Sequence, residues 1–259
     1  MTLRDVLQDD LGASVPLTGT PTRVVSLVPS LTEAVAATVP GVLVGATDYC
    51  THPENLQVTR VGGSKYPRVA DVLGLRPDLV LANVEENRPG DVAELRAAGI
   101  PVWVTAAPAT VPDALASLRR LFTGAFDTAV PDWLVAAEQE WADVPPVRVV
   151  AVVPVWRRPW VVLGRDTFAG DVLRRLGVGN AYTEHAERYP RPSLDELRAV
   201  LASGRADLLV LPDEPYAFTP HDGPEAFPGV RCAFVSGRHL TWYGPSLAEA
   251  RAVLTAALP

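Results

Sequence analysis

Lysine is almost missing from this chain: Lys65 is the only one, and arginine supplies the rest of the 23 basic residues. Against 30 acidic residues this leaves a formal net charge of −7, which excludes the clustered basic face that a nucleic-acid surface requires. Cysteine is scarce too. Cys50 and Cys232 are far apart and form no metal-type pair, which excludes a disulfide framework and leaves reduced structural thiols as the expectation. The four histidines are scattered, with only Cys50/His52 and His221/Asp222 close in sequence, and no HExxH or paired CxxC occurs. No protein-ligated metal site and no intrinsic cofactor are therefore expected. Motifs of nucleophilic and nucleotide chemistry are absent as well: there is no GxSxG elbow, no Walker loop and no GxGxxG, Gly177-Val178-Gly179 lacking the third glycine. No catalytic residue is assigned. No apolar run reaches the roughly 18 residues of a membrane span. The segment Met1–Asp10 lacks the basic head and apolar run of a signal peptide, which sets a cytoplasmic placement as the expectation.

What is present is a strand–loop–helix signature at Arg23–Glu33. Val24–Val28 is a short apolar run of the kind buried on both faces of a parallel sheet, with Pro29 ending it. Ser30 followed by Glu33 matches a capping box opening a helix. Further strands are expected at Val15–Leu17, Val42–Ala46, Leu79–Ala82 and Pro101–Val104, with helices over Val69–Leu75 and Asp91–Ala98 and Gly99 as the left-handed stop.

The second half repeats the first. Arg148-Val149-Val150-Ala151-Val152-Val153-Pro154 echoes Arg23–Pro29, Arg205–Pro212 echoes Arg76–Ala82, and Val230–Val235 echoes the strand around Trp103. Two copies of one unit follow: an α/β fold of two Rossmann-like lobes with parallel sheets, residues 1–110 and 147–259, joined by a helical segment at 111–146. Within that segment one helix is expected over Val111–Phe122 and a second over Pro131–Trp141, with Trp133, Leu134, Ala137 and Trp141 on one packed face.

Ligands of open parallel sheets sit outside the carboxyl ends of the strands, so two facing lobes place a ligand cleft between them. The exit loops then supply the candidate binding residues: Pro29, Ser30, Tyr49, Lys65, Tyr66, Glu85, Glu86 and Arg88 from the first lobe, and Trp156, Trp160, Tyr216, Trp242 and Tyr243 from the second half. Aromatic planes with a few polar groups suit a large flat ligand better than a bare ion. Each element keeps a plainer reading. The aromatics could cover lobe edges, and Glu85-Glu86 and Asp213-Glu214 could be solvated loop ends capping the next helices. Trp156–Trp160 reads as a hairpin tip in which Arg stacks on Trp, or in sharper form holds a ligand anion.

At Val28-Pro29-Ser30-Leu31-Thr32-Glu33, Val61-Gly62-Gly63, Arg76–Leu81, Gly164–Phe168 and Ser193–Leu197 the chain resembles the helical-backbone substrate-binding proteins of ABC importers, which bind cobalamin and iron chelates. The resemblance runs from Asp9-Asp10-Leu11-Gly12 to the C-terminal helix. It implies one long helix bridging the two lobes and a rigid cleft. It also implies a non-enzymatic receptor for a large chelate such as cobalamin, haem or a siderophore. By the same resemblance Pro29 and Tyr49 match positions that touch the corrin in cobalamin binders, and Trp242 lies in the last cleft loop. An ABC permease is the implied partner, docking on one acidic residue per lobe. Asp195 fits on the second lobe, while the first-lobe position is Ala70 with Asp71 beside it. That departure and the missing signal sequence set a cytoplasmic binding relative as the expectation. The alternatives are a tetrapyrrole chelatase-like enzyme on a related two-lobe scaffold and a degenerate protein-interaction module.

Overall fold

The computed structural model describes residues 7–259, so the first six residues of the Met1–Asp10 leader lie outside the described residues. The chain divides into two units. One holds the described residues up to Ala107 with Leu115–Val135 and Tyr243–Pro245; the other holds Pro108–Ala114, Ala136–Trp242 and Ser246–Pro259.

In chain order the first unit begins with β1 (Val24–Ser26), α1 (Pro29–Thr38), β2 (Leu43–Ala46) and β3 (Thr59–Arg60). It continues with α2 (Val69–Gly74), β4 (Leu79–Asn83), α3 (Pro89–Ala97) and β5 (Val102–Thr105). The strands form one sheet in the order β3-β2-β1-β4-β5, every pairing parallel. All of β4 is buried, as a central parallel strand covered on both faces requires. Val25, Val80, Ala82, Val102 and Val104 present one face of the sheet to Val72 of α2 and to Val92 and Leu95 of α3, a single apolar cluster. Each such side chain taken out of water contributes about 1.5–3 kcal/mol. Gly99 has φ +80° just past α3, the left-handed stop expected there.

The chain passes from one unit to the other within α4 (Val111–Arg120) and again within α5 (Asp132–Glu140). α4 runs on through a π-helical turn, Leu121–Ala125, with Leu121, Phe122 and Ala125 buried. In the first unit Asp10 fastens this helix by accepting from Ser117 Oγ and from Arg120 at 2.8 Å. Of the expected face of α5, Leu134, Ala137 and Trp141 are buried and Trp133 donates from Nε1 to Thr38 Oγ1 at 3.0 Å.

The second unit carries β6 (Val149–Val152), the antiparallel hairpin β7 (Pro154–Arg157) and β8 (Trp160–Val162), then α6 (Phe168–Arg175), β9 (Val178–Asn180) and α7 (Leu194–Ala202). β10 (Leu208–Pro212), a 3-10 turn at Pro224–Ala226, β11 (Cys232–Val235), α8 (Gly237–Thr241) and α9 (Leu247–Ala257) complete it. Its parallel sheet runs β11-β10-β6-β9. With β6, β9, β10 and β11 set against β1, β2, β4 and β5, the strand order is the same, so the sequence repeat is a repeat of topology. The first sheet has one strand more, β3.

Three local expectations fail. Ser30 and Glu33 form no capping box: α1 starts one residue earlier, at Pro29, with Val28 as the residue before the first turn and no side-chain cap. Proline at the first helical position has no amide to satisfy and a preset φ, so Pro29 opens the helix rather than ending the strand. Thr32 instead returns its hydroxyl to Val28 O at 2.9 Å. Residues 15–17 form no strand; Leu17 N merely bonds Val15 O, and the nearby bridge joins Gln8 to Ser14. In the second unit the same Ser-x-x-Glu pattern does work. Ser193 Oγ accepts from Glu196 N at 3.2 Å, and Glu196 returns its carboxylate to Ser193 N at 2.7 Å.

Candidate ligand-binding site

The first unit brings eight of the candidate residues to the carboxyl-end loops of its sheet, on a framework of buried polar contacts. After β1, Pro29 is half-buried and Ser30 buried at the start of α1. After β2, the loop at 47–50 is fastened from below. Thr32 Oγ1 donates to Cys50 Sγ at 3.0 Å, Thr47 Oγ1 lies 3.1 Å from the same sulfur, and Arg60 Nη1 donates to Thr47 O and Cys50 O at 2.9 and 2.8 Å. Burial pushes the Cys50 thiol pKa up, so this sulfur is a neutral packing atom. Between those anchors Tyr49 stands out of the fold, 65% exposed. After β3, Gly62 takes φ +94°, a conformation that suits glycine, and turns the chain into Ser64-Lys65-Tyr66. The Tyr66 ring is 72% exposed, with the Arg88 guanidinium 4.7 Å above it. Arg88 is held in place by Asp91 at 2.9 and 2.6 Å.

The loop after β4 is shaped by two asparagines. Asn83 Oδ1 accepts from Glu85 N at 2.8 Å and Glu86 N at 3.2 Å, an Asx turn, and Asn87 Oδ1 accepts from Asn83 N at 2.8 Å. Asn87 Nδ2 ties the loop to its neighbours through Leu27 O and Ser64 O at 3.2 and 2.9 Å. Asn83 Nδ2 reaches Tyr243 Oη at 2.8 Å and Ala106 O at 2.9 Å. Tyr243 is thus buried beneath the loop, and that burial pushes its phenol far above the ordinary tyrosine range. Glu85 and Glu86 are half-buried, and Lys65 Nζ donates to Glu85 O. Burial raises the Glu86 pKa, with Lys65 opposing the rise and Glu85 adding to it. Sequence reasoning places Glu85 and Glu86 but misses Asn83 and Asn87 as the residues that hold them; the Asn-x-Glu-Glu spacing of an Asx turn is the signal that finds them.

In the second unit the hairpin reading of Trp156–Trp160 holds. Arg157 lies 5.7 Å over the Trp160 ring, the structural stacking expected. Of the two arginines that in the sharper reading hold a ligand anion, Arg157 pairs with Asp222 and Glu225, while Arg158 is exposed. Trp156 meets Tyr216 edge-on at 5.6 Å, and Tyr216 Oη donates to Asp222 Oδ2 at 2.5 Å. Trp160 stacks on Phe218 at 6.2 Å and meets Phe227 at 5.3 Å. Trp156 is exposed, Trp160 and Tyr216 are half-buried, and Trp242 is buried at the end of α8. The acidic pair after β10 includes one helix-start contact: Asp213 Oδ1 accepts from Gly237 N at 2.6 Å. Of the two proposed docking acids, Asp195 is 95% exposed by side chain in the first turn of α7, and Asp71 pairs with Arg68 at 2.5 Å in α2.

Among the described residues no group of three or more His, Cys, Asp or Glu is arranged to hold a metal ion, and both cysteines are free thiols. Among the same residues no helix is long and apolar enough to cross a membrane. No protein-family model matches the chain. A curated relative, the vitamin B12-binding protein of Vibrio cholerae, is 24% identical over 184 residues, which is 68% of this chain and 66% of the relative. The match therefore spans just under two thirds of that relative's length. Solved structures agree over more. A periplasmic haem-binding protein from Roseiflexus sp. RS-1 superposes with TM-score 0.72 at 22% identity, covering 92% of this chain and 98% of the other. The periplasmic vitamin B12-binding protein of Vibrio cholerae gives 0.69 at 19%, covering 92% and 96%. A periplasmic haem-binding protein in complex with two haems gives 0.73 at 24%, covering 93% and 98%. The chain has the α/β fold of these proteins, two Rossmann-like lobes each with a parallel sheet.

Proposed function

We propose that this chain is a non-enzymatic solute-binding protein for a large metal chelate of the cobalamin, haem or siderophore class. The observation that carries the reading is the placement of Tyr49 and Tyr66. Both rings are mostly exposed, both stand on carboxyl-end loops of a parallel sheet, and the loops beneath them are fixed by buried hydrogen bonds. Exposed aromatic faces on a rigid frame suit a flat macrocycle, because little conformational entropy is lost when the ligand docks. The proteins sharing this fold include ones described as binding haem and vitamin B12, which supports the ligand class.

In this reading Pro29, Ser30, Lys65, Glu85, Glu86 and Arg88 are the further ligand contacts on the carboxyl-end loops of the first unit, Arg88 lying over Tyr66. Trp156, Trp160, Tyr216 and Trp242 are separate candidate contacts on the second unit, and in the first unit Tyr243 acts through Asn83 from below. The partner is an ABC permease, with the exposed carboxylate of Asp195 and that of Asp71 as docking groups. The compartment is the periplasm or its equivalent, as for the solved proteins described as periplasmic, in place of the cytoplasmic expectation. Titration of the purified protein with cyanocobalamin, haemin and a ferric siderophore, followed by tryptophan fluorescence and visible absorbance, tests the binding claim. A saturable change with at least one chelate is expected; none with all three refutes it. Fractionation of the native host with mapping of the mature N-terminus tests the compartment.

A further inference from the structure

Two glycines follow one another in the loop after β3, and they are there for different reasons. Gly62 takes φ +94°, so its backbone calls for glycine. Gly63 takes no positive φ, and its backbone accepts a side chain. Among the described residues, and apart from its chain neighbours, the only atom within 4 Å of the point a Gly63 Cβ would occupy is Cε2 of the Tyr49 ring, at 3.4 Å. The missing side chain thus leaves room for that ring to lie close to the backbone. Gly63 is half-buried, whereas the Tyr49 ring is mostly exposed.

The backbone on either side of Tyr49 is held separately. Arg60 Nη1 donates to Thr47 O at 2.9 Å and to Cys50 O at 2.8 Å, and Asp48 N donates to Gly62 O at 2.8 Å. The freedom left to Tyr49 is in its side-chain torsions, and Gly63 backs the ring. An exposed ring with a fixed seat loses less freedom when a ligand docks on it; ordering one such side chain at binding weakens affinity by about two- to tenfold.

We propose that Gly63 is a positioning residue for ligand binding: its bare backbone is the seat that sets the pose of the Tyr49 ring on which the chelate stacks. This rests on the chelate-binding reading and adds the residue that pre-orients one of its two rings. A Cβ at 3.4 Å from the ring is near the optimal carbon–carbon separation of about 3.5–4.0 Å, so Gly63→Ala keeps the pose. Valine puts γ-carbons on two of the three staggered positions around Cβ and so intrudes on the ring. The plainer alternative is that Gly63 only spares the loop a side chain, and then its substitution does not act through Tyr49.

The experiment compares the wild type with Gly63→Ala, Gly63→Val, Tyr49→Ala and the Tyr49→Ala/Gly63→Val double variant, with thermal melts showing that each is folded. Fluorotyrosine labelling and fluorine NMR report on the ring without ligand. The Tyr49 resonance, identified by its loss in Tyr49→Phe, is expected to shift in Gly63→Val and to stay near its wild-type position in Gly63→Ala. Affinity is then measured for whichever of cyanocobalamin, haemin and a ferric siderophore binds the wild type most tightly. It is expected to fall about three- to tenfold in Gly63→Val and to stay within about twofold in Gly63→Ala. In the Tyr49→Ala background Gly63→Val is expected to cause no further loss, a coupling that a purely structural role does not produce. An unmoved Tyr49 resonance in Gly63→Val, an unchanged affinity, or a loss that persists without the Tyr49 ring overturns the inference while leaving chelate binding intact. No saturable binding of any of the three chelates by the wild type refutes the chelate reading, and with it the role given to Gly63.

Discussion

Asn83 is the residue on which the site edge of the first unit depends, and its removal gives a sharp test. Its carbonyl accepts the Glu85 and Glu86 amides and its amide donates to Tyr243 Oη and Ala106 O, with Asn83 and Tyr243 both buried. A buried hydrogen bond contributes about 1 kcal/mol net, and a buried group left without its partner costs about 1–3 kcal/mol. Truncation in Asn83→Ala removes the Asx turn and leaves buried oxygens short of a donor, so a cost of about 2–3 kcal/mol follows. For a chain of this size each kcal/mol moves Tm by about 2–4 °C, so a fall of about 4–12 °C is expected in a calorimetric scan. Tyr243→Phe removes only one of the acceptors and costs about 1 kcal/mol. The double variant is expected to lose less than the sum of the two, with a coupling of at least about 0.5 kcal/mol. Chelate affinity falls in Asn83→Ala as the 83–88 loop loses its shape. A Tm change under about 1 °C for Asn83→Ala, or strict additivity in the double variant, refutes the frame described here.

Other consequences are local. Ser193→Ala removes a reciprocal cap at the start of α7 and is expected to cost about 1 kcal/mol in urea unfolding, whereas Glu196→Gln, which keeps an acceptor at the third helical position, costs less. Gly237→Ala places a Cβ 2.7 Å from the backbone N and O of Glu214 and 2.3 Å from its Cγ, so the β10 exit must shift, at about 1–3 kcal/mol in thermal melts; an unchanged Tm contradicts the packing. The pH dependence of stability carries the signature of Glu86. Burial raises its pKa in the folded state, so between the ordinary carboxylate value and the raised one the native protein holds more protons than the unfolded chain. Its contribution therefore makes stability fall as pH rises through that window. Glu86→Gln is expected to flatten the fall, and an identical pH–Tm profile for variant and wild type rules it out.

The fold was legible where its cause is periodic and repeated. Val24–Val25, Leu79–Leu81 and Leu208–Leu211 are apolar because a parallel strand is covered on both faces, and the same order of such runs in each half exposes the repeat. β3 is not legible: Thr59–Arg60 is two residues long, partly polar, and a strand only because Gly45 and Ala46 lie alongside. Ser30 and Ser193 show the limit of a short motif. Both are followed by glutamate three residues on, yet only Ser193 caps, because Pro29 shifts the start of α1 so that Ser30 and Glu33 fall inside the helix and are buried. At the site, Tyr49 and Tyr66 were readable as residues of strand exit loops, but their exposure was not. Nor was the support under them. Thr32, Cys50 and Thr47, or Asn83 and Tyr243, 160 positions apart, meet only once the sheet is formed.

The central claim is that the Tyr49 and Tyr66 edge binds a metal chelate, and equilibrium binding of the wild type against a Tyr49→Ala/Tyr66→Ala double variant tests it most directly. Both rings project from loops fastened by other residues, so the double variant is expected to keep the wild-type Tm within about 2 °C, as exposed positions away from caps and core do. Each lost aromatic contact is expected to weaken binding of the preferred chelate by about tenfold, in line with about 0.5–1.5 kcal/mol of ring stacking plus the apolar area withdrawn. Equal dissociation constants for the two proteins would contradict the account.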